Sequence, residues 1–275
     1  MLRQRLITAA FLVPVFLWVI HMGGWLYSAV VIVLLSIGAW EFTRIAAVAD
    51  TYPSTWISVA GVWAVAVAVA MMDVRMMIPV VVVILLCGTA WHVYDFERGG
   101  ARTPFQDWAV TLAVPLYVGG LGGHLLALRL LPHGVWWTLT VLPAMWLSDT
   151  GAYAIGRWLG RRPMAPRTSP NKTWEGFFGG ALWGAVFGGL LAELWQRYGG
   201  VSSDVLGWRE GIFIGILVSL VGPVGDLGIS MLKRQAGIKD TGRLLTGHGG
   251  VLDRIDSWLL AGAVSYYYIF WIVLR

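Results

Sequence analysis

Long apolar runs separated by short polar segments dominate the hydropathy pattern of this 275-residue chain. Most of them approach the roughly 20 residues that a helix needs to cross a bilayer. The short second run continues through Glu41 and Phe42. The nine runs cover residues 6–22, 26–39, 56–72, 76–91, 108–131, 136–158, 177–194, 211–232 and 258–274. This pattern predicts an all-α integral membrane protein with about nine transmembrane helices.

Composition supports a membrane protein and excludes thiol chemistry. The chain is 57% hydrophobic and 13% charged, whereas a soluble domain carries roughly 25% charged residues. Cys87 is the single cysteine, which excludes internal disulfides and thiolate metal clusters. The basic N-terminus before the first run resembles a secretory signal, but no small-residue cleavage site follows before Gly23. We therefore interpret residues 6–22 as an uncleaved first span.

The distribution of Lys and Arg predicts the orientation, because cytoplasmic loops of membrane proteins are enriched in both. With nine spans and a cytoplasmic N-terminus, fifteen of the twenty basic residues face the cytoplasm and the C-terminus is external. The same bias, together with attraction to anionic membrane lipids, accounts for the net charge of +5. We expect no nucleic-acid partner. The five basic residues on the external side are Arg75, Arg129, Arg197, Arg209 and Arg275.

Polar residues divide the chain into two regions. Residues 1–105 are mostly apolar helices and are interpreted as an N-terminal transmembrane scaffold. Residues 106–275 contain ionisable groups within spans and the two longest cytoplasmic loops, 156–173 and 233–253. We expect the catalytic chemistry in this C-terminal region.

Two glycine patterns indicate helix packing. Gly176, Gly180, Gly184 and Gly188 recur every four residues, which places a groove for close packing on one face of the seventh span. Its partner helix belongs either to the same chain or to a second copy in a homodimer. The glycine cluster at 119–123 matches no dinucleotide fingerprint, since no strand precedes it, and it is interpreted as a helix kink or packing notch.

Asp149 lies within the sixth predicted span, where an ionisable group requires a partner or a polar cavity. Helical spacing places Tyr153 and Arg157 on the same face. The pattern fits either a structural contact of Asp149 with one of these residues or an acidic wall of a substrate cavity.

The loop "RRPMAPRTSPNKTWEG" is strongly cationic. Ser169 and Pro170 are suited to begin a helix, with Lys172 and Thr173 close to that start, so backbone N–H groups and these side chains could bind phosphate. A lipid-headgroup anchor explains the arginines about equally well. It explains Ser169, Asn171 and Thr173 poorly.

A third polar cluster begins at the end of the eighth span. Asp226, Ser230 and Lys233 fall at i, i+4 and i+7 and share one helix face. Carboxylates at two helix ends would suit Mg²⁺ with substrate phosphates, and Lys and Arg would neutralise further phosphate charge. A cation-translocation path and a structural salt-bridge cluster are the alternatives. The polar residues that follow are Lys239, Asp240, His248, Asp253, Arg254 and Asp256.

These C-terminal residues strongly resemble the signature of the phosphatidate cytidylyltransferase (CDP-diacylglycerol synthase) family. The resemblance is sharp over residues 146–256 and only general over the first hundred residues. It is carried by "SMLKR", four residues, "KD", and then "HGGVLDRID", and by the blocks "SDTGAY", "SPNKTWEG" and "GDLGIS".

The resemblance implies that CTP and phosphatidic acid react to give CDP-diacylglycerol and pyrophosphate in phospholipid biosynthesis. It implies a bacterial-type inner-membrane enzyme with its active site facing the cytoplasm, and Mg²⁺ as cofactor, with a second cation left open. The implied metal ligands are Asp226, Asp253 and Asp256. The implied catalytic residues are Asp226, Asp253, Lys233 and Lys239. The implied substrate-binding residues are Asp149, Ser169, Asn171, Lys172, Thr173, Ser230, Arg234, His248 and Arg254.

Some functions and roles stay open at this point. His248 is suited equally to a loop-ordering hydrogen bond and to a phosphate contact. A CTP-dependent polyisoprenoid-alcohol kinase or a CDP-archaeol synthase would need a similar polar site, and a cation-coupled transporter is a remote alternative. No residue announces recognition of the cytosine base or an acyl-chain preference.

Overall fold

A computed structural model of the chain describes residues 13–71, 73–100, 102–242, 244 and 249–275. In this part of the chain nearly all regular structure is helical, and each predicted apolar run lies on helix. Residues 1–12, with the start of the predicted first span, and His248 lie outside the described residues.

The elements follow the chain in a simple order. The helices are α1 Val13–Met22, α2 Gly24–Val48, α3 Thr55–Met71, α4 Met77–Glu97, α5 Pro104–Val114, α6 Gly122–Leu130, α7 Gly134–Leu159, α8 Trp174–Gly199, α9 Trp208–Gln235 and α10 Leu252–Tyr268. A 3₁₀ turn, Val74–Met76, precedes α4, and π-helical turns, Pro115–Leu121 and Ile269–Val273, follow α5 and α10. Two short strands, β1 Pro163–Ala165 and β2 Ser169–Thr173, lie between α7 and α8.

Five helical segments are long and apolar enough to cross a membrane: Gly24–Val48, Val74–Glu97, Pro104–Leu130, Trp174–Gly199 and Trp208–Gln235. The described parts of α1 and α3 are shorter apolar helices. These helices support a helical membrane protein, while the number of nine spans stays a prediction.

The cationic loop between α7 and α8 corrects two sequence-based expectations. Ser169 and Pro170 do not begin a helix, and the chain is not entirely α, because residues 169–173 form β2, which pairs antiparallel with β1. The residue before a proline avoids α-helical backbone angles, which favours an extended Ser169. Helix α8 starts only at Trp174, where the Thr173 side chain accepts the Gly176 N–H at 3.2 Å as an N-cap.

The chain forms two compact units, of which unit 1 comprises residues 1–127 and 231–255. Its apolar core includes Val65, Ile84 and Leu112 from α3, α4 and α5. Gly119 lies in the π-helical turn, where an added Cβ would stand 3.1 Å from the Val62 Cα. The glycine cluster at 119–123 therefore includes a packing notch, as the sequence predicted.

Unit 1 also joins distant parts of the sequence. Gly38 in α2 faces the first turn of α10, where an added Cβ would lie 3.0 Å from the Ile255 side chain and 3.6 Å from that of Leu252. Glycine at this position therefore allows α2 to approach the beginning of α10 closely.

Unit 2 comprises residues 128–230 and 256–275, and it contains the predicted glycine groove. The first half of the groove packs against α7. A Cβ added at Gly176 would stand 2.7 Å from the Ala152 carbonyl oxygen, and one at Gly180 would stand 3.0 Å from that of Ser148. Larger side chains would therefore force α7 and α8 apart.

The second half of the groove packs against α9. A Cβ added at Gly184 or Gly188 would collide with the backbone of Gly215 or Gly211, respectively. The groove partners are therefore α7 and α9 of the same chain. This arrangement places α8 between the two helices that carry Asp149 and Asp226.

Candidate active site

The first polar cluster lies in unit 2 and centres on Asp226 of α9. The Lys172 ammonium forms an ion pair with Asp226 Oδ2 at 2.5 Å, and the Ser230 hydroxyl donates to Oδ1 at 3.2 Å. Asp149 of α7 lies within electrostatic reach of both Lys172 and Asp226. The Lys172 and Asp226 side chains remain 30% and 33% exposed. The cluster thus combines two carboxylates and one cation that a ligand can reach.

Local structure explains how these residues meet. Lys172 is the penultimate residue of β2 and directly precedes the cap of α8. Asp226 and Ser230 lie one turn apart on α9, as the i, i+4 spacing predicted. The glycine contacts of α8 with α7 and α9 bring these elements close together.

The first turn of α8 also forms hydrogen bonds with the beginning of the cationic loop. Glu175 Oε2 accepts the backbone N–H groups of Arg161 and Arg162 at 3.1 and 3.2 Å.

On α7, near Asp149, Arg157 donates to the Tyr153 hydroxyl at 3.2 Å. The charged neighbours of Asp149 are Lys172 and Asp226, which favours a place in the polar cluster over a pairing with Tyr153 or Arg157, while its role as a wall of a substrate cavity stays a prediction.

Ser169, Asn171 and Thr173, the residues of this loop that we predicted to bind phosphate, differ in their exposure and contacts. Ser169 pairs with Ala165 in the β-ribbon, and Asn171 is exposed. The Thr173 oxygen is already engaged as the cap of α8. A phosphate contact of these three residues stays a prediction, and Thr173 has a structural role that the sequence did not reveal.

The second polar cluster lies in unit 1 and centres on Asp253 in the first turn of α10. Lys233 Nζ pairs with Asp253 Oδ1 at 2.5 Å, and the two side chains are only 10% and 7% exposed. Oδ2 accepts the Thr241 N–H at 2.8 Å, the Thr241 hydroxyl at 3.0 Å and the Gly250 N–H at 3.0 Å. One carboxylate therefore organises the end of α9, the loop and the start of α10.

The charge on Asp253 is well compensated. Burial alone would raise the pKa of this carboxyl. The hydrogen bond from Lys233 and those from the backbone of Thr241 and Gly250 outweigh burial, so the pKa lies below its usual value. Asp253 is therefore ionised at neutral pH.

Glu41 also belongs to the second cluster, although it lies in the predicted scaffold region, residues 1–105. It is 0% exposed. Its Oε1 accepts the Val251 N–H at 3.1 Å, and its Oε2 accepts the Leu252 N–H at 2.8 Å and the Thr241 hydroxyl at 2.8 Å. The sequence signal for Glu41 is the same as for Asp149, an ionisable residue inside an apolar stretch.

The remaining predicted residues are less closely involved. Arg234 donates to the Ile238 carbonyl oxygen at 3.5 Å, and Lys239 is exposed. Asp256 is buried, and its Oδ1 accepts the Ser257 N–H at 2.6 Å. Arg254 is exposed, and the roles of these residues stay predictions.

The carboxylates of the two clusters are candidate ligands for Mg²⁺, which typically binds one or two carboxylates plus substrate phosphates. Within the described ranges, no group of three or more His, Cys, Asp or Glu side chains could hold an ion alone. The accessible carboxylate of Asp226, with Asp149 nearby, fits this requirement. Asp253 and Asp256 are more enclosed, and their role as ligands stays a prediction.

Known proteins resemble the chain over nearly its whole length. The model of the cytidylyltransferase family matches residues 3–272. A protein of Brucella suis named phosphatidate cytidylyltransferase is 35% identical over 275 residues, covering 96% of this chain and 92% of that relative. A protein of the same name from Pseudomonas aeruginosa is 33% identical over 269 residues, or 94% and 93% of the two chains.

A further match covers a smaller share of the chain at higher identity. The protein of that name from Staphylococcus epidermidis is 39% identical over 158 residues, covering 58% of this chain and 57% of the relative. Together with the family match over residues 3–272, these similarities show that the chain belongs to the cytidylyltransferase family.

Proposed function

We propose that the chain is a phosphatidate cytidylyltransferase, which transfers the cytidylyl group of CTP to phosphatidic acid. The observation that carries this proposal is the similarity to relatives of that name over more than 90% of both chains. An oxygen of the lipid phosphate attacks the α-phosphorus of CTP. The bond to the β-phosphate breaks, and CDP-diacylglycerol and pyrophosphate are formed.

The two polar clusters suit this reaction. The lipid phosphate is already an anion, so the reaction needs positioning and charge neutralisation more than a strong base. Lys172 is partly exposed beside Asp226 and can exchange its carboxylate partner for a phosphate oxygen. Lys233 is held by Asp253, which fixes its ammonium group in place before any substrate binds.

Magnesium is part of the proposal. Mg²⁺ would neutralise phosphate charge and align the reacting groups. Asp226 would hold the ion, with Asp149 in support, and the resemblance adds Asp253 and Asp256. Lys172 would balance the charge of Asp226 while no ion is present.

We further propose nine spans, a cytoplasmic N-terminus and a location in a bacterial inner membrane. The five long apolar helices support the membrane location, and fifteen basic residues on one side support the orientation. The polar clusters then face the cytoplasm, where CTP is available. Formation of a homodimer stays open.

Purified protein with phosphatidic acid, CTP and Mg²⁺ tests the reaction. Label from α-labelled CTP should enter the lipid, whereas label from γ-labelled CTP should leave as pyrophosphate. Transfer of γ-label to a polyisoprenoid alcohol would instead identify a kinase, and exclusive use of an ether lipid would identify a CDP-archaeol synthase. Removal of Mg²⁺ by a chelator should abolish labelling, and its return should restore it.

A further inference from the structure

The Glu41 carboxylate is completely buried although it lies in the predominantly apolar helix α2. Burial of a charge is costly unless hydrogen bonds replace the lost water. Here two backbone N–H groups at the start of α10 and the Thr241 hydroxyl provide them. The positive end of the α10 dipole also faces this side chain, which suits a carboxylate at this position.

Two glycines of the loop lie directly against the same carboxylate. A Cβ added at Gly242 would collide with Glu41 Oε1, and one added at Gly250 would collide with Oε2. Glu41 is the group nearest the backbone at Gly242, and at Gly250 both Glu41 and the Thr241 hydroxyl lie close to the backbone.

Thr241 connects Glu41 to Asp253. Its hydroxyl lies 2.8 Å from Glu41 Oε2 and 3.0 Å from Asp253 Oδ2. A hydroxyl has one hydrogen, so the two carboxylates share it. Asp253 in turn binds Lys233, and the contacts form a continuous path from Glu41 to Lys233.

We propose that Glu41 is a positioning residue for the cytidylyl transfer. Its carboxylate caps α10 and holds Thr241, and these contacts fix Asp253 and Lys233 in the geometry that the reaction uses. This inference rests on the proposed function for its catalytic part. Its structural part, the ordering of the loop and of the first turn of α10, is independent of the reaction.

Glu41→Gln tests the proposal with little change of volume. The amide retains one acceptor oxygen and turns an NH₂ group toward donors, so at least one of the three hydrogen bonds is lost. We expect kcat to fall roughly 10-fold to 100-fold. The KM for CTP should change much less, because Glu41 is 0% exposed and substrate cannot reach it.

Asp107→Asn is the matched control. Asp107 is also a buried carboxylate of unit 1, and it accepts the Tyr52 N–H at 2.5 Å and the Thr103 hydroxyl at 2.7 Å. It lies at the start of α5 and takes no part in the contacts of Asp253. We expect a comparable loss of thermal stability but a near-normal kcat.

Thr241→Val tests the connection without placing a new polar group beside the carboxylate. It removes the shared hydroxyl and keeps a similar shape, and we expect roughly a 10-fold fall in kcat. If Glu41 acts through Thr241, the double variant should be little worse than Glu41→Gln alone. Should Glu41→Gln fail to fold, a folded Thr241→Val protein with normal kcat overturns the proposal.

Hydrogen exchange separates this inference from the proposed function. Glu41→Gln should speed exchange in peptides covering residues 249–255, and Asp107→Asn should not. Faster exchange in a protein that never transfers cytidylyl groups would overturn the proposed reaction and support the ordering role of Glu41. Unchanged exchange, normal kcat in Glu41→Gln, or equal losses of kcat in Glu41→Gln and Asp107→Asn would overturn the positioning role.

Discussion

The two Lys–Asp pairs differ in burial, and this difference predicts losses of stability of different size when each lysine is replaced. Lys172 and Asp226 are 30% and 33% exposed, whereas Lys233 and Asp253 are 10% and 7% exposed. Lys172→Met and Lys233→Met remove the charge of each lysine and keep most of its apolar stem. The two substitutions therefore make the same chemical change in two different environments.

The expected magnitudes follow from what each aspartate retains. Asp226 keeps the Ser230 hydroxyl and access to solvent, and an exposed pair contributes about 0–1 kcal/mol. Asp253 is left as a buried charge, and breaking such a pair costs about 3–5 kcal/mol. Because the Thr241 and Gly250 groups still donate to Asp253, we expect the low end, about 3 kcal/mol, for Lys233→Met.

Unfolding in mixed micelles, followed by tryptophan fluorescence, measures this difference, and CDP-diacylglycerol formation is assayed on the same samples. Both variants should lose activity, because each removes a cation that we assign to the phosphates. Only Lys233→Met should lose substantial unfolding free energy. Equal destabilisation by the two variants, or a larger effect of Lys172→Met, would refute the reasoning from burial.

Two further predictions concern the metal ligands and the topology. Asp226→Asn and Asp253→Asn should each lower the Mg²⁺-dependent rate roughly 100-fold or more, and the double variant should be little worse than the worse single variant. The exposed Glu193→Gln is the control and should be nearly silent, while near-normal turnover of a folded Asp253→Asn protein would remove that residue from the metal site. A reporter fused after Arg243 should be cytoplasmic and one after Arg275 external, and reporters on the same side would contradict nine spans.

Hydrophobic patterning was sufficient to predict where helices lie. The run at 177–194 lies within Trp174–Gly199, and the run at 211–232 lies within Trp208–Gln235. Apolar length predicts these segments because a membrane helix must satisfy its own backbone groups. The ends of the helices were less predictable. The start of α8 depends on a single side-chain contact of Thr173, and the nearby Ser169 and Pro170 were an equally plausible start from the sequence.

The four-residue glycine spacing predicted a groove but not its partners. Spacing reports which side chains share a helix face, and it carries no information about the helix opposite. The structure divides the groove between α7 and α9, and the glycines of α9 meet those of α8 backbone to backbone. Small residues on both sides allow this approach, and their pairing becomes visible only when the two helices are seen together.

The role of Glu41 could not be predicted from local sequence for a related physical reason. Its donors, Thr241, Val251 and Leu252, are 200 or more positions away, so no short-range pattern contains the contact. The charged residues of the motif around Asp253 already offered an explanation for this loop, so nothing in the sequence indicated a distant partner. A buried carboxylate nevertheless requires several donors, and the start of a helix offers N–H groups that lack an intrahelical acceptor. The N–H groups at the start of α10 supply donors to the Glu41 carboxylate, and the carboxylate supplies the acceptor that these groups lack. This mutual satisfaction explains why a carboxylate in the predicted scaffold lies at the start of the helix that carries Asp253.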